Sequence, residues 1–178
     1  MIRISTWLNH LEALGMDQVR IQSHWITQEI FFCPNWVNGI INKFDSQGNY
    51  LSTVNAIGWP SGLVVDPNNN LYQSEDTGST IIVYNSNGQY SRTITAPEFN
   101  APQGMAIDVQ GKLIVANYLG NNIFKFNTTG QLVSTISNNL ANPRDVAIDS
   151  LGNIYATNWS NYSVSKFDPS GKFIMSFG

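Results

Sequence analysis

Four polar side chains recur at one spacing along this chain: Asn35, Glu75, Asn117 and Asn158. The residues that follow them are Trp36, Asp76, Tyr118 and Trp159. Three amides and two carboxylates beside three aromatic rings suit the holding of a small polar molecule. Polar groups would fix its orientation and flat rings would cover its apolar faces. A sugar, a peptide or a divalent cation such as calcium matches that donor set. Glu75 and Asp76 offer the oxygen ligands a hard cation takes, and Asp145 adds a third carboxylate. The competing reading is structural: the amides satisfy loop backbone and the rings pack between sheets. No acid and base stand paired here. His10 and His24 lie outside the repeats and away from any carboxylate at metal-ligand spacing. The expectation is therefore binding without turnover, with no catalytic residue and no resident cofactor.

The elements that position these residues repeat about every 41 residues. The aromatics Phe44, Tyr84, Phe126 and Phe167 each precede a turn glycine: Gly48, Gly88, Gly130 and Gly171. Asp66, Asp108 and Asp149 advance by the same period. Four short apolar runs per period of this length predict an all-β fold, a β-propeller with one sheet per repeat. The first strand follows Pro60, Pro102 or Pro143, and two residues later come Gly62, Gly104 or, breaking the pattern, Asp145. Ile41, Ile81, Ile123 and Val164 stand three residues before the strand-end aromatic. That offset places the two on opposite faces of a strand, so both faces of the sheet must be buried. Between strands, Asp or Asn opens each turn and Gly or Asn closes it with positive φ.

The segment PQGMAIDVQGKLIVANYLGNNIFKFNTTGQLV resembles the NHL-repeat family through a whole repeat, and four registered copies cover residues 31–178. The resemblance implies a propeller that usually closes with six blades, roughly 240 to 270 residues at this period. For function it implies a non-catalytic scaffold that binds a protein, peptide or carbohydrate through the loops at one channel mouth. Two alternatives stay open. One is a metal-dependent hydrolase of the gluconolactonase or regucalcin-like type, using Glu75, Asp76, Asn117 and Asn158. The other is the substrate-recognition part of a ubiquitin ligase, although a RING needs clustered cysteines and Cys33 is alone.

The repeats divide as 31–58, 59–99, 100–140 and 141–178, which encodes three complete blades and three strands of another. Residues 1–30 stand apart as a leader. Ser5 or Thr6 there would cap a short helix carrying Trp7, Leu8, Leu11 and Leu14, ended by Gly15. An open arc leaves unpaired edges and an apolar face at each end. A longer natural protein of which this is a fragment, association of two arcs, or closure of four blades into a small ring would each cover them.

Composition narrows the partners. Only 12% of residues are charged and the net charge is −3, with nine Lys and Arg. That gives no electrostatic footprint for nucleic acid or an anionic membrane. Lys43, Lys125 and Lys166 recur before the strand-end aromatic, with Val83 in the remaining repeat, and read as a solvated edge. No apolar run reaches the roughly 18 residues of a membrane span. The first 30 residues lack a signal peptide's apolar core, so the compartment is open, extracellular if a longer protein carries a signal. Asn127, Asn158 and Asn161 fall in glycosylation acceptor patterns that chance explains in a chain this rich in Asn and Ser.

Overall fold

The computed structural model describes residues 30–178, apart from Trp36 and Asp76. The helix expected near residues 5–15, both histidines and those two mouth residues therefore lie outside the described residues. Fifteen strands follow in chain order. The first sheet holds β1 (Phe31–Asn35), β2 (Ile40–Phe44) and β3 (Tyr50–Asn55). The second holds β4 (Pro60–Val65), β5 (Leu71–Glu75), β6 (Thr80–Tyr84) and β7 (Tyr90–Ile94). The third holds β8 (Pro102–Ile107), β9 (Leu113–Asn117), β10 (Asn122–Phe126) and β11 (Leu132–Ile136). The fourth holds β12 (Pro143–Ile148), β13 (Ile154–Asn158), β14 (Ser163–Phe167) and β15 (Phe173–Phe177). Every pairing is antiparallel between sequence neighbours, a meander in each sheet. The first strands of consecutive sheets, β4, β8 and β12, pack against one another in turn.

Turn chemistry makes these meanders. Asp66 Oδ1 accepts the N–H groups of Asn68 and Asn70 at 2.9 and 2.8 Å, and Asp108 and Asp149 do the same in their sheets. In the outer turns Asp45, Asn85, Asn127 and Asp168 each accept the N–H groups two and four residues on. The glycine closing such a turn has positive φ, +87° at Gly130, a region that costs an L-residue with a Cβ about 1–2 kcal/mol. Beside each outer turn the register slips by one residue, just before Phe44, Tyr84, Phe126 or Phe167. That bulge twists the strand end and re-aims the aromatic.

Packing then follows from the offset of three. Ile123 and Phe126 both have no exposed surface, yet they belong to different apolar layers. Phe126 packs between the second and third sheets with Phe99, Phe124 and Val115. Ile123 packs between the third and fourth with Ala106, Val146 and Phe167. Ile41, Leu63, Leu71 and Tyr84 fill the layer between the first and second. The two middle sheets are thus buried on both faces. The lysines depart from the solvated edge expected of them. Lys125 reaches the carbonyl of Pro169 in the next sheet at 3.1 Å and stands 3.8 Å from Asp108. Lys43 and Lys166 lie over the rings of Phe32 and Tyr155. All three lysines are half-buried, with their ammonium heads engaged by these neighbours.

Candidate functional site

The four repeated polar residues end the second strands β1, β5, β9 and β13, so they occupy equivalent corners of four consecutive sheets. In the second, third and fourth sheets the meander brings this corner beside the connection that enters the sheet. Asn117 is fully buried. Its Oδ1 accepts the N–H of Asn100 at 2.7 Å, and its amide donates to Glu98 O and Asn122 Oδ1, both at 2.9 Å. Asn158 accepts the N–H of Ala141 at 3.0 Å and donates to Ser163 Oγ and Ser165 Oγ at 3.2 and 2.9 Å. Glu75 is buried, accepting from Thr77 Oγ1 at 2.6 Å and from the N–H of Trp59 at 3.3 Å. Asn35 is half-buried and accepts the N–H of Asn38 at 3.1 Å. Among the described residues no hydrogen bond joins any two of the four. Glu75, Asn117 and Asn158 each fasten the loop that enters their own sheet, because a buried loop N–H or C=O must find a partner, while Asn35 bonds within its own hairpin.

Of the residues after these corners, the two described ones, Tyr118 and Trp159, face outward more. Tyr118 is half-buried and Trp159 is 52% exposed. Their loops are cross-linked. Asn142 donates its side-chain amide to the carbonyl of Tyr118 at 3.1 Å, and its own carbonyl accepts the N–H of Trp159 at 3.1 Å. The third and fourth sheets thereby share one stiffened rim. On that rim the Arg144 guanidinium lies over the Trp159 ring, 4.6 Å from its centroid, close enough for a cation–π contact. Asp145 follows directly, half-buried, its Oδ1 accepting the N–H of Val146 at 3.0 Å. Its own N–H donates to Thr157 Oγ1 at 3.1 Å. A cation, a carboxylate and a flat ring therefore gather at the start of β12, the first strand of the fourth sheet. Sequence reading singled out Asp145 but passed over Arg144. Its signal was present, since Pro143-Arg144-Asp145 replaces Pro60-Ser61-Gly62 and Pro102-Gln103-Gly104.

No metal centre forms from the expected carboxylates among the described residues, where no three of His, Cys, Asp and Glu cluster. Glu75 and Asp145 belong to different sheets, and Asp76 lies outside the described residues. Asn158, an acceptor-pattern asparagine, is 3% exposed with its amide bonded inward.

Solved structures of the same shape exist. A streptogramin B lyase superposes with a TM-score of 0.75 at 16% identity, over 89% of this chain and 53% of that one. The fold is a β-propeller. Virginiamycin B lyase from Staphylococcus aureus matches in two further structures. One is a catalytically inactive histidine-to-alanine form with quinupristin, TM-score 0.72 and 13% identity over 85% of this chain and 52% of that one. The other is a selenomethionine form, TM-score 0.73 and 14% identity over 89% of this chain and 54% of that one. This chain spans about half the length of each. No known protein-family model and no curated protein matches it. The expectation of a non-catalytic scaffold is corrected here. The three solved propellers named above are lyases, which points away from a non-catalytic scaffold.

Proposed function

We propose that this chain is an arc of a propeller lyase that works at the rim formed by Arg144, Asp145 and Trp159. The observation that carries the reading is the guanidinium 4.6 Å over an exposed tryptophan ring, with a carboxylate on the next residue. A lyase breaks a bond by elimination without consuming water. A base removes a proton from carbon, a double bond forms, and the leaving group departs with its electron pair. Asp145 supplies the carboxylate that takes the proton, and Arg144 stabilises the negative charge that develops on the adjoining carbonyl oxygen. Trp159 offers the flat face on which an apolar part of the substrate rests. Lyases of the same fold support a streptogramin B type of substrate. The repeats themselves we infer to be of NHL type, supported by the Pro-x-Gly and Asx-x-x-Gly positions of residues 31–178.

Mass spectrometry after incubation with quinupristin tests the reading. Elimination leaves the summed product mass equal to that of the substrate, whereas hydrolysis adds one water. Asp145→Asn and Arg144→Gln should each lower turnover at least tenfold with an unchanged far-ultraviolet spectrum. No turnover, or products heavier by a water, would refute the proposal. Loss of turnover in His10→Ala or His24→Ala, with Asp145→Asn still active, would move the base away from Asp145.

A further inference from the structure

We propose that the rim site has a second half on the third sheet, where Gln103 and Tyr118 position an amide group of the ligand beside the acyl oxygen that Arg144 takes. This half extends, and rests on, the placement of substrate at Arg144 and Trp159. Each first strand of the second, third and fourth sheets carries a bulge just past its proline. Ser61 and Gly62 stand opposite Ser74 alone, and Gln103 and Gly104 opposite Ala116 alone. In the fourth sheet Arg144 falls between the pairing of Pro143 with Asn158 and that of Asp145 with Thr157. Bulges re-aim side chains, and they gather next to active sites. Gln103 is therefore the third sheet's counterpart of Arg144, as Tyr118 is of Trp159.

The loops around the two pairs share one geometry. The N–H of Tyr118 donates to the Ala101 carbonyl at 3.1 Å, and that of Trp159 to the Asn142 carbonyl at 3.1 Å. Ala101 and Asn142 have φ of +53° and +52°, and each stands just before the proline that precedes its bulged residue. The Asn142 amide, bonded to the Tyr118 carbonyl, ties the two loops together. The backbone of Gln103 is held as well. Its carbonyl accepts from Ser74 Oγ at 2.7 Å, and a Cβ on Gly62 would run into it. Its side chain is not spent. Gln103 is half-buried, and among the described residues neither its amide, nor the Tyr118 hydroxyl, nor the Arg144 guanidinium has a hydrogen-bond partner. The corner amides Asn117 and Asn158, by contrast, are bonded at both oxygen and nitrogen. A free side chain on a fixed backbone is what a positioning residue needs. A guanidinium has only donors and suits a carboxylate or carbonyl oxygen. A carboxamide has donors and an acceptor side by side, which a second amide meets with its own C=O and N–H. The Tyr118 and Trp159 rings add flat apolar faces. An N-acylated aromatic amino acid, free or esterified, carries all three groups at neighbouring positions.

N-acetylphenylalanine and phenylpropionate test this, since they share the ring and the carboxylate and differ in the amide. In titrations followed by nitrogen NMR, N-acetylphenylalanine should bind about fivefold more tightly, the worth of one hydrogen bond. It should also shift the side-chain amide signal of Gln103, which phenylpropionate should leave in place. Gln103→Leu should erase the preference with the melting curve unchanged, because no described residue is bonded to that side chain. Binding of neither compound, equal binding of both, or a preference that survives in Gln103→Leu overturns the proposal. Should Gln103→Leu fail to fold, the wild-type amide signal decides: unmoved by N-acetylphenylalanine, it refutes the site. Turnover of quinupristin without this preference would leave the lyase reading standing and remove the amide site. The preference without turnover would do the reverse.

Discussion

Asn117 shows how a side chain with the look of a ligand-binding group is consumed by the fold. Its oxygen and its amide nitrogen meet backbone groups 17 and 19 residues back and a side chain five residues on. The residue type and its repeat position are visible in the sequence. The partners are not, because they belong to a loop that comes alongside only once β8 and β9 have paired. Asn158 repeats the arrangement with Ala141, Ser163 and Ser165. Asn117→Ala should therefore act on stability. It strands the N–H of Asn100 and the C=O of Glu98, at about 1–3 kcal/mol for each group that stays buried and unsatisfied. Urea melts should show a loss of about 2–6 kcal/mol, roughly two such groups. A loss under about 0.5 kcal/mol with turnover abolished would instead place this amide on the substrate. Arg144 was missed for a related reason. Its signal was a departure from the repeat, and the ring it stacks on is 15 residues away.

At the scale of elements, far more was legible. The strand-end aromatics and turn glycines located the third strand and outer turn of each sheet, because hairpin turns demand particular residues at fixed offsets. Asn127 and Gly130 close theirs with a 3.0 Å backbone bond. The offset of three between Ile123 and Phe126 foretold two buried faces, and the two residues do lie in separate apolar layers. The lysines were less readable, since a charged residue's burial depends on what the adjacent sheet offers. A comparison between sheets tests the packing. Phe126 touches Phe99 and Phe124, with centroids 5.6 and 6.0 Å away, inside a layer closed from both sides. Phe126→Ala should cost about 3–5 kcal/mol, as truncation of a fully buried Phe does. Phe44→Ala, at the equivalent but half-buried place in the first sheet, should cost clearly less. Equal losses in urea melts would show that the first sheet is packed as tightly as the inner ones.

Across the whole molecule, the choice of Asp or Asn in otherwise identical outer turns distributes acid sensitivity unevenly. The two middle sheets use Asn85 and Asn127, amides that collect the N–H groups two and four residues on and do not titrate. The first and last sheets use Asp45 and Asp168 for the same bonds. The side chain of Asn49, then its N–H, holds the Asp45 carboxyl below the ordinary aspartate range. The Ser170 hydroxyl, then the Lys172 N–H, does so for Asp168. Asp149, in the other turn of the last sheet, is lowered chiefly by the side chain of Asn153. A carboxyl whose pKa is lower in the folded than in the unfolded chain contributes stability above the unfolded value, about 3.9. That contribution is lost as pH falls through the unfolded value toward the folded one. Acid should therefore loosen the two end sheets first. Amide protection factors followed downward from about pH 5 should fall early at Gln47, Asn49, Ser170 and Lys172. Those at Asn87, Gln89, Thr129 and Gln131 should hold until the whole arc unfolds. Simultaneous loss at all four outer turns would mean that the carboxylates do not set the order. Asp45→Asn with Asp168→Asn should erase the difference by giving every outer turn the same untitratable amide.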